Sequence, residues 1–302
     1  MIARLQQLAI LGLTVWGLAT IVGLCWFGRF GLALTVGCLI LIGHSIVLAI
    51  EFLMMRRVNR LQPNEVSHAT APELFQAWVK ESLHAPRVFC WRQPFRSDTI
   101  PDHLPGGHSG SSTPGVLLVH GYMCNRGLWN PWLIRLRSQG IPYVAVNLEP
   151  AFGGIDDYLP IIESAIHRLR LATGRAPVVV AHSMGGLAVQ RWWTQPGNTG
   201  CIAHLIAIGT PFNGTWLARF AMSRNARQMQ PGSPWLEQLS AEHAKRDPVG
   251  ITCFYSNTDN IVFPVSSATL SNADNRLLPG VPHVAMVDDL RAWAELLRRL
   301  SP

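Results

Sequence analysis

Two long apolar runs open the chain. Leu8 to Phe27 is 20 residues without a formal charge and Phe30 to Ile50 is another 21, with only Gly28 and Arg29 between them. Each is long enough to cross a hydrocarbon core of about 30 Å as a helix rising about 1.5 Å per residue. Backbone groups in lipid must be satisfied within the segment, so the pattern predicts two helices joined by a tight turn. A cleavable leader would have a shorter apolar core and would not be followed at once by a second full span. A buried hairpin in a soluble protein would need more covering surface than the rest of the chain offers. The expectation is a membrane anchor over 1–58, with spans at about 8–27 and 30–50, then a polar linker over 59–71. His44 and Glu51, late in the second run, read as a helix-interior histidine and an interfacial glutamate rather than an intramembrane polar site.

Past the linker the period changes. Residues 72–83 open with Pro72 at a first helical position and read as a short helix. Residues 88–95 (VFCWRQPF) read as a strand, and 97–115 as an exposed Pro-, Gly- and Ser-rich connection whose His103 and His108 complete no metal-ligand spacing. From Val116 the runs GVLLVHG, IPYVAVNLE, PVVVAHS, IAHLIAIGTP and GITCFYSN, bounded by Gly or Pro, read as buried strands. Helical spacing fills 128–138, 155–171 and 184–193 between the first four. In the second of these, Tyr158, Ile161, Ile162, Ala165, Ile166 and Leu169 recur at three and four residues and mark a one-faced helix. Leu290, Trp293, Leu296, Leu297 and Leu300 give a closing helix. Continuous apolar strands alternating with amphipathic helices predict an α/β fold, a mainly parallel sheet flanked by helices, as one domain over 72–302.

Composition narrows the classes. At 48% hydrophobic and 14% charged residues the chain is not disordered, and six scattered cysteines without a C-x-x-C pair make neither a disulfide scaffold nor a metal centre. The formal net charge is +7, but the first 60 residues hold five arginines against one glutamate, leaving 20 basic and 17 acidic groups elsewhere. A nucleic-acid partner therefore loses its electrostatic footing. Arg4 before the first run and Arg56, Arg57 and Arg60 after the second place both ends of the hairpin in the cytoplasm by the positive-inside rule, with Arg29 alone opposing.

Candidate chemistry centres on VVVAHSMGGLAVQ. Ser183 directly follows an apolar run and directly precedes a helical one, with small residues Ala181 and Gly185 two positions to either side. That is the register of a nucleophile elbow, with alanine in place of the first glycine of G-x-S-x-G. The bland alternative is a serine that merely caps the helix. His182 adjoins the serine, but neighbours on a sharp turn point apart, so its role is read as structural. The segment resembles the α/β-hydrolase superfamily, and within it bacterial esterases and lipases with the A-H-S-M-G-G elbow. LLVHGY, GTPFNGT and the late Asp and His extend the likeness over about 116–300.

The resemblance implies an α/β-hydrolase fold, hydrolysis of esters through a Ser–His–acid triad, and no cofactor. It also implies the chain order Ser, acid, His. Of His204, His243 and His283, only His283 follows a plausible strand and stands on a loop before the last helix. Among Glu237, Glu242, Asp247, Asp259 and Asp274, Asp259 comes just after the ITCFYS run, and Asp274 is the runner-up. The oxyanion donors map to the backbone of Tyr122 and Met184, with His120 and Gly121 shaping the first loop. Cys124 lies nearby without any mark of a nucleophile. An insertion at about 212–250, with Trp216, Trp235 and Leu236, is the expected cap and, with Met123, the expected acyl pocket. The sum is an integral membrane serine hydrolase of the bacterial inner membrane, its catalytic domain cytoplasmic, acting on a hydrophobic ester or lipid. An acyltransferase or thioesterase using the same triad, or a non-catalytic membrane scaffold, are the alternatives.

Overall fold

The computed structural model describes residues 1–62, 68–104, 113–220, 222–246 and 249–301. Its first two helices, α1 (Ile2–Trp26) and α2 (Phe30–Arg60), run antiparallel from the turn at Gly28. They pack most closely at Gly17, where a Cβ would meet Ile40 Cδ1 at 2.5 Å. Each contains an apolar stretch of at least 18 residues, and most of the surface of that stretch is covered by nothing else in the protein. The second helix overruns the expected linker, ending at Arg60, and residues 63–67 of that linker lie outside the described residues.

Helix α3 (Ala71–Pro86) begins with a capping box, in which Thr70 and Glu73 exchange hydrogen bonds between side chain and backbone. It does not give way to a strand. Arg87–Arg92 continue as a π-helical turn and Gln93–Arg96 as α4. Proline has no N–H and clashes with the carbonyl four residues back, and the wider turn after Pro86 absorbs that interruption. Long-range contacts fix the segment, among them Gln6 donating to Gln93 Oε1 at 2.9 Å and Asn125 donating to the Gln93 carbonyl at 2.9 Å. Tertiary anchoring thus overrides the strand-like composition of VFCWRQPF.

Six parallel strands follow: β1 (Val116–Val119), β2 (Tyr143–Ala145), β3 (Val178–His182), β4 (His204–Ile208), β5 (Ile251–Tyr255) and β6 (Asp274–Leu277). Their spatial order is β2-β1-β3-β4-β5-β6. The connecting helices are α5 (Asn130–Ser138), α6 (Leu159–Thr173), α7 (Met184–Trp193), α8 (Arg224–Gln228), α9 (Pro234–His243) and α10 (Leu290–Leu300). The stretches at 128 and 155, expected as helix from the outset, begin as 3-10 turns, Arg126–Trp129 and Ile155–Tyr158. Successive strand residues face opposite ways. Leu117, Val119, Val179 and Ala181 enter the core beneath α6 and α7, while Val116, Leu118, Val178 and Val180 enter the one beneath α5 and α10. Burial on both faces is why β1 to β5 are continuous apolar runs, while the edge strand β6 (DNRL) is polar and partly exposed.

A third, smaller cluster joins the hairpin to the sheet domain: Phe52 and Met55 of α2 and Ala77 of α3 pack on Phe263. Nearby, the Val265 N–H donates to Asn59 Oδ1 at 3.2 Å. The two long helices are therefore part of the same packed body as the sheet.

Candidate active site

Strand β3 ends at His182 and α7 starts at Met184, leaving Ser183 to make the whole turn, with φ +54° and ψ −131°. A non-glycine residue at positive φ costs on the order of 1–3 kcal/mol and persists only where its surroundings hold it. Here the Ser183 N–H donates to the Ile208 carbonyl at 2.8 Å. The glycines beside it are steric necessities. A Cβ at Gly185 would lie 2.5 Å from the His120 carbonyl oxygen, and one at Gly121 would lie 2.7 Å from Ser183 Cβ. The loop after β1 and the elbow after β3 thus touch backbone to backbone. Ala181 lies within β3, opposite Ala207, and is packed in the core beneath α6 and α7.

Asp259 lies in the loop after β5, fully buried. Its Oδ1 accepts from the N–H groups of Ile261 at 2.9 Å and Val262 at 2.7 Å, and its Oδ2 accepts from His283 Nδ1 at 2.9 Å. That bond assigns the proton of a neutral His283 to Nδ1 and leaves the Nε2 lone pair free. Burial pushes the imidazole pKa down, but the Asp259 carboxylate outweighs it and holds His283 above its ordinary 6.5. His283 stands on the loop between β6 and α10, its ring centroid 4.6 Å from that of His182. His182 Nε2 donates to the His283 carbonyl at 3.2 Å, and burial keeps this second ring neutral, well below 6.5. It braces the backbone of His283 and does not compete as a base.

Ser183 and His283 share the wall of one cavity of about 710 Å³. No hydrogen bond links Ser183 Oγ to His283 among the described residues, and such bonds often tighten only with substrate in place. The N–H groups of Tyr122 and Met184 donate to nothing among the described residues. They flank the serine from the β1 loop and the start of α7, where unpaired amides and the helix dipole favour negative charge. His120 rivets the first loop. It accepts the Leu148 N–H on Nε2 at 3.0 Å and donates Nδ1–H to the Gly121 carbonyl at 2.9 Å, with burial holding its pKa down at about 4.

Other candidates fall elsewhere. Asp274 opens β6 and pairs with Arg276 at 2.6 Å. Asp247 lies outside the described residues. His204 is buried against Thr252, and His243 packs on Trp193. Burial pushes the Cys124 thiol up to about 12, which removes its nucleophilic thiolate. Among the described residues no cluster of His, Cys, Asp and Glu is arranged to hold a metal ion.

The expected pocket needs correction. Met123 does line the cavity, but Trp216, Trp235 and Leu236 do not. Trp216 stacks on Phe263, Trp235 donates to Asp156 at 2.7 Å, and Leu236 is buried in the core beneath α6 and α7. The insertion at 212–250 packs on the 150–158 segment through Asn225, which donates to the Ala151 carbonyl at 2.9 Å. The fourth side of the cavity comes instead from α1, α2, α3 and the π-helical turn. His44 and Glu51, read from the sequence as a helix-interior histidine and an interfacial glutamate, both line it. Asn260, next to Asp259, donates to Glu51 at 2.8 Å. Glu81 of α3 is buried without exposure, accepting from the N–H groups of Val284 at 2.8 Å and Ala285 at 3.2 Å, immediately after His283. Burial raises its pKa to about 7. One signal for Glu81 was available: with Leu74, Ala77 and Trp78 it occupies the apolar face of α3.

A model of the alpha/beta hydrolase family matches residues 116–302. Among curated proteins none matches the chain. Of solved structures, the mature form of a Bacillus licheniformis lipase superposes with a TM-score of 0.58 at 15% identity, covering 66% of this chain and 97% of that one. Aspergillus fumigatus lipase B superposes with a TM-score of 0.57 at 24% identity, covering 64% of this chain and 53% of that one. At these identities the likeness concerns the fold.

Proposed function

This chain belongs to the alpha/beta hydrolase family, and from that premise we propose that it is an integral membrane serine hydrolase of hydrophobic carboxylic esters. The observation that carries the reading is His283, paired with buried Asp259 and lining the same cavity as a serine held at positive φ. In the proposed reaction, Ser183 Oγ attacks the ester carbonyl while His283 Nε2 takes its proton. Asp259 keeps the other ring proton on Nδ1 and stabilises the imidazolium. The tetrahedral oxyanion accepts from the N–H groups of Tyr122 and Met184. His283 then returns the proton to the departing alcohol, leaving an acyl group on Ser183. Water enters by the reverse of these steps and releases the acid.

The anchor in this reading is residues 1–58, with the domain beyond the linker facing the cytoplasm. Helices of 25 and 31 residues, each holding an 18-residue stretch of mean hydropathy above 2, support the spans, and Arg56, Arg57 and Arg60 at the end of α2 support the orientation. The likeness to the Bacillus licheniformis lipase and Aspergillus fumigatus lipase B supports an ester as the substrate class. The test is labelling of the full-length protein in detergent with a fluorophosphonate, which attacks activated serines. The proposal expects one adduct, lost in Ser183→Ala; labelling that persists in that variant overturns it.

A further inference from the structure

We propose that the N-terminal hairpin is a wall of the acyl-binding site, and that the cavity takes the acyl chain of a bilayer-resident ester sideways, from within the hydrocarbon. The inference rests on the ester-hydrolase reading of Ser183 and assigns the hairpin a task beyond anchoring.

The first observation is where the cavity opens. Ser183 and His283 line it together with Leu13 of α1 and Leu41 and Val47 of α2. These three leucine and valine side chains are 51%, 74% and 56% exposed. A residue that both lines a cavity and faces outward marks its mouth. The mouth therefore sits on the apolar flank of the hairpin.

Depth is the second. Counted from the turn at Gly28 at about 1.5 Å per residue, Leu41 lies ~20 Å, Leu13 ~22 Å and Val47 ~28 Å along the helices, within a hydrocarbon thickness of about 30 Å. By the same count Glu51 stands at ~34 Å, at the far boundary, where it meets Asn260 beside the catalytic aspartate. An average helix tilt of about 20° shortens these depths only slightly. The apolar mouth falls in the lipid and the polar end at the interface, which is how an acyl ester is disposed in a leaflet.

Helix α3 gives the third. It is bound to α2 at the same level: Trp78 Nε1 donates to the Ser45 carbonyl at 2.7 Å, and His44 Nε2 donates to the Ser82 carbonyl at 2.9 Å. Its outer face presents Phe75, Val79 and Leu83, spaced by four residues and exposed. An exposed apolar stripe on a helix held at hydrocarbon depth is covered by lipid. The π-helical turn that follows supplies Phe89 and Cys90 to the cavity, completing its rim. A volume of about 710 Å³ lies within the range of about 300–1,000 Å³ typical of small-molecule sites.

The test uses the full-length protein in lipid nanodiscs and a long-chain alkyl fluorophosphonate carrying a photoreactive diazirine at its far end. After Ser183 is labelled, irradiation and peptide mapping report where the chain end lies. The inference expects cross-links in α1, α2 or the 85–90 segment. Cross-links confined to 212–250 overturn it while leaving the hydrolase reading intact; absence of any Ser183 adduct overturns both. Steady-state kinetics give a second readout. Leu41→Trp, which fills the mouth, should lower the ratio of kcat/KM for a dodecanoyl over a butyryl nitrophenyl ester at least tenfold. Leu34→Trp, on α2 but outside the cavity, should leave that ratio unchanged. Equal ratios in both variants would sink the inference.

Discussion

Asparagine in place of Asp259 separates an orienting role from mere charge. Asp259 Oδ1 is held by two backbone donors, at 2.9 and 2.7 Å, while Oδ2 faces His283 Nδ1. An amide satisfies the two N–H groups only by putting its own oxygen there, so its NH2 must face the histidine. An NH2 donates and does not accept. His283 Nδ1 must then give up its proton, which moves to Nε2, the atom required to receive the serine proton. The opposite amide orientation strands two buried N–H groups, each at roughly 1–3 kcal/mol, and so offers no escape. With the imidazole in the wrong tautomer the loss in kcat should be about 10⁴-fold, or about 5.5 kcal/mol of barrier. Hydrolysis of a nitrophenyl butyrate by the full chain in detergent measures it, with circular dichroism to confirm the fold. Asp274→Asn should remain near wild type, because Asp274 is occupied with Arg276 at the surface. Activity of Asp259→Asn within tenfold of wild type would show that Asp259 does not orient His283, the more so if Asp274→Asn were crippling.

Three further outcomes are expected. Because His283 titrates above 6.5 and must be neutral to act as base, kcat/KM should fall on the acid side with a midpoint above 6.5; a limb centred below 6 would contradict the Asp259 pairing. Glu81 has its pKa raised from 4.5 to about 7. Its stabilising contribution is therefore full below the ordinary value and lost as pH rises through 7, by roughly 3 kcal/mol. Glu81→Gln should flatten that decline in melting temperature, and should also lower kcat, because one N–H after His283 then faces an amide NH2; a pH–stability curve parallel to wild type would remove Glu81 from the account. Finally, alkaline carbonate should leave the full chain in the membrane pellet, and protease added outside intact cells should spare the catalytic domain. Release by carbonate would refute the spans, and external cleavage the orientation alone.

Much of the sheet was legible because β1 to β5 are short buried apolar runs with a turn residue at the border, whereas the polar, half-exposed edge strand β6 (Asp274–Leu277) carries no such signal. The elbow was legible for the same reason: Ser183 falls between two periodicities, and the packing of Gly185 on His120 explains why the neighbours are small. Asp259 and His283 could be singled out by their places after strand-like runs, and the structure brings them into contact. What failed is instructive in its causes. VFCWRQPF has strand composition, but contacts of Gln93 with α1 and the β1 loop hold it helical. The apolar residues of 212–250 gave no sign of which way they face, and Leu236 and Leu239 turned toward the core rather than the site. Glu51 and Glu81 meet partners some 200 residues away, so only an odd carboxylate beside an apolar run hinted at them.

The proposed reaction requires Ser183 to carry the acyl group during turnover. Full-length protein mixed with a slow nitrophenyl ester and quenched in acid within the first turnover should show a burst of nitrophenol. Mass spectrometry should then find one acyl adduct per chain on the peptide containing Ser183. Ser183→Ala should show neither burst nor adduct. An adduct on another residue, or turnover undiminished in Ser183→Ala, would contradict the account.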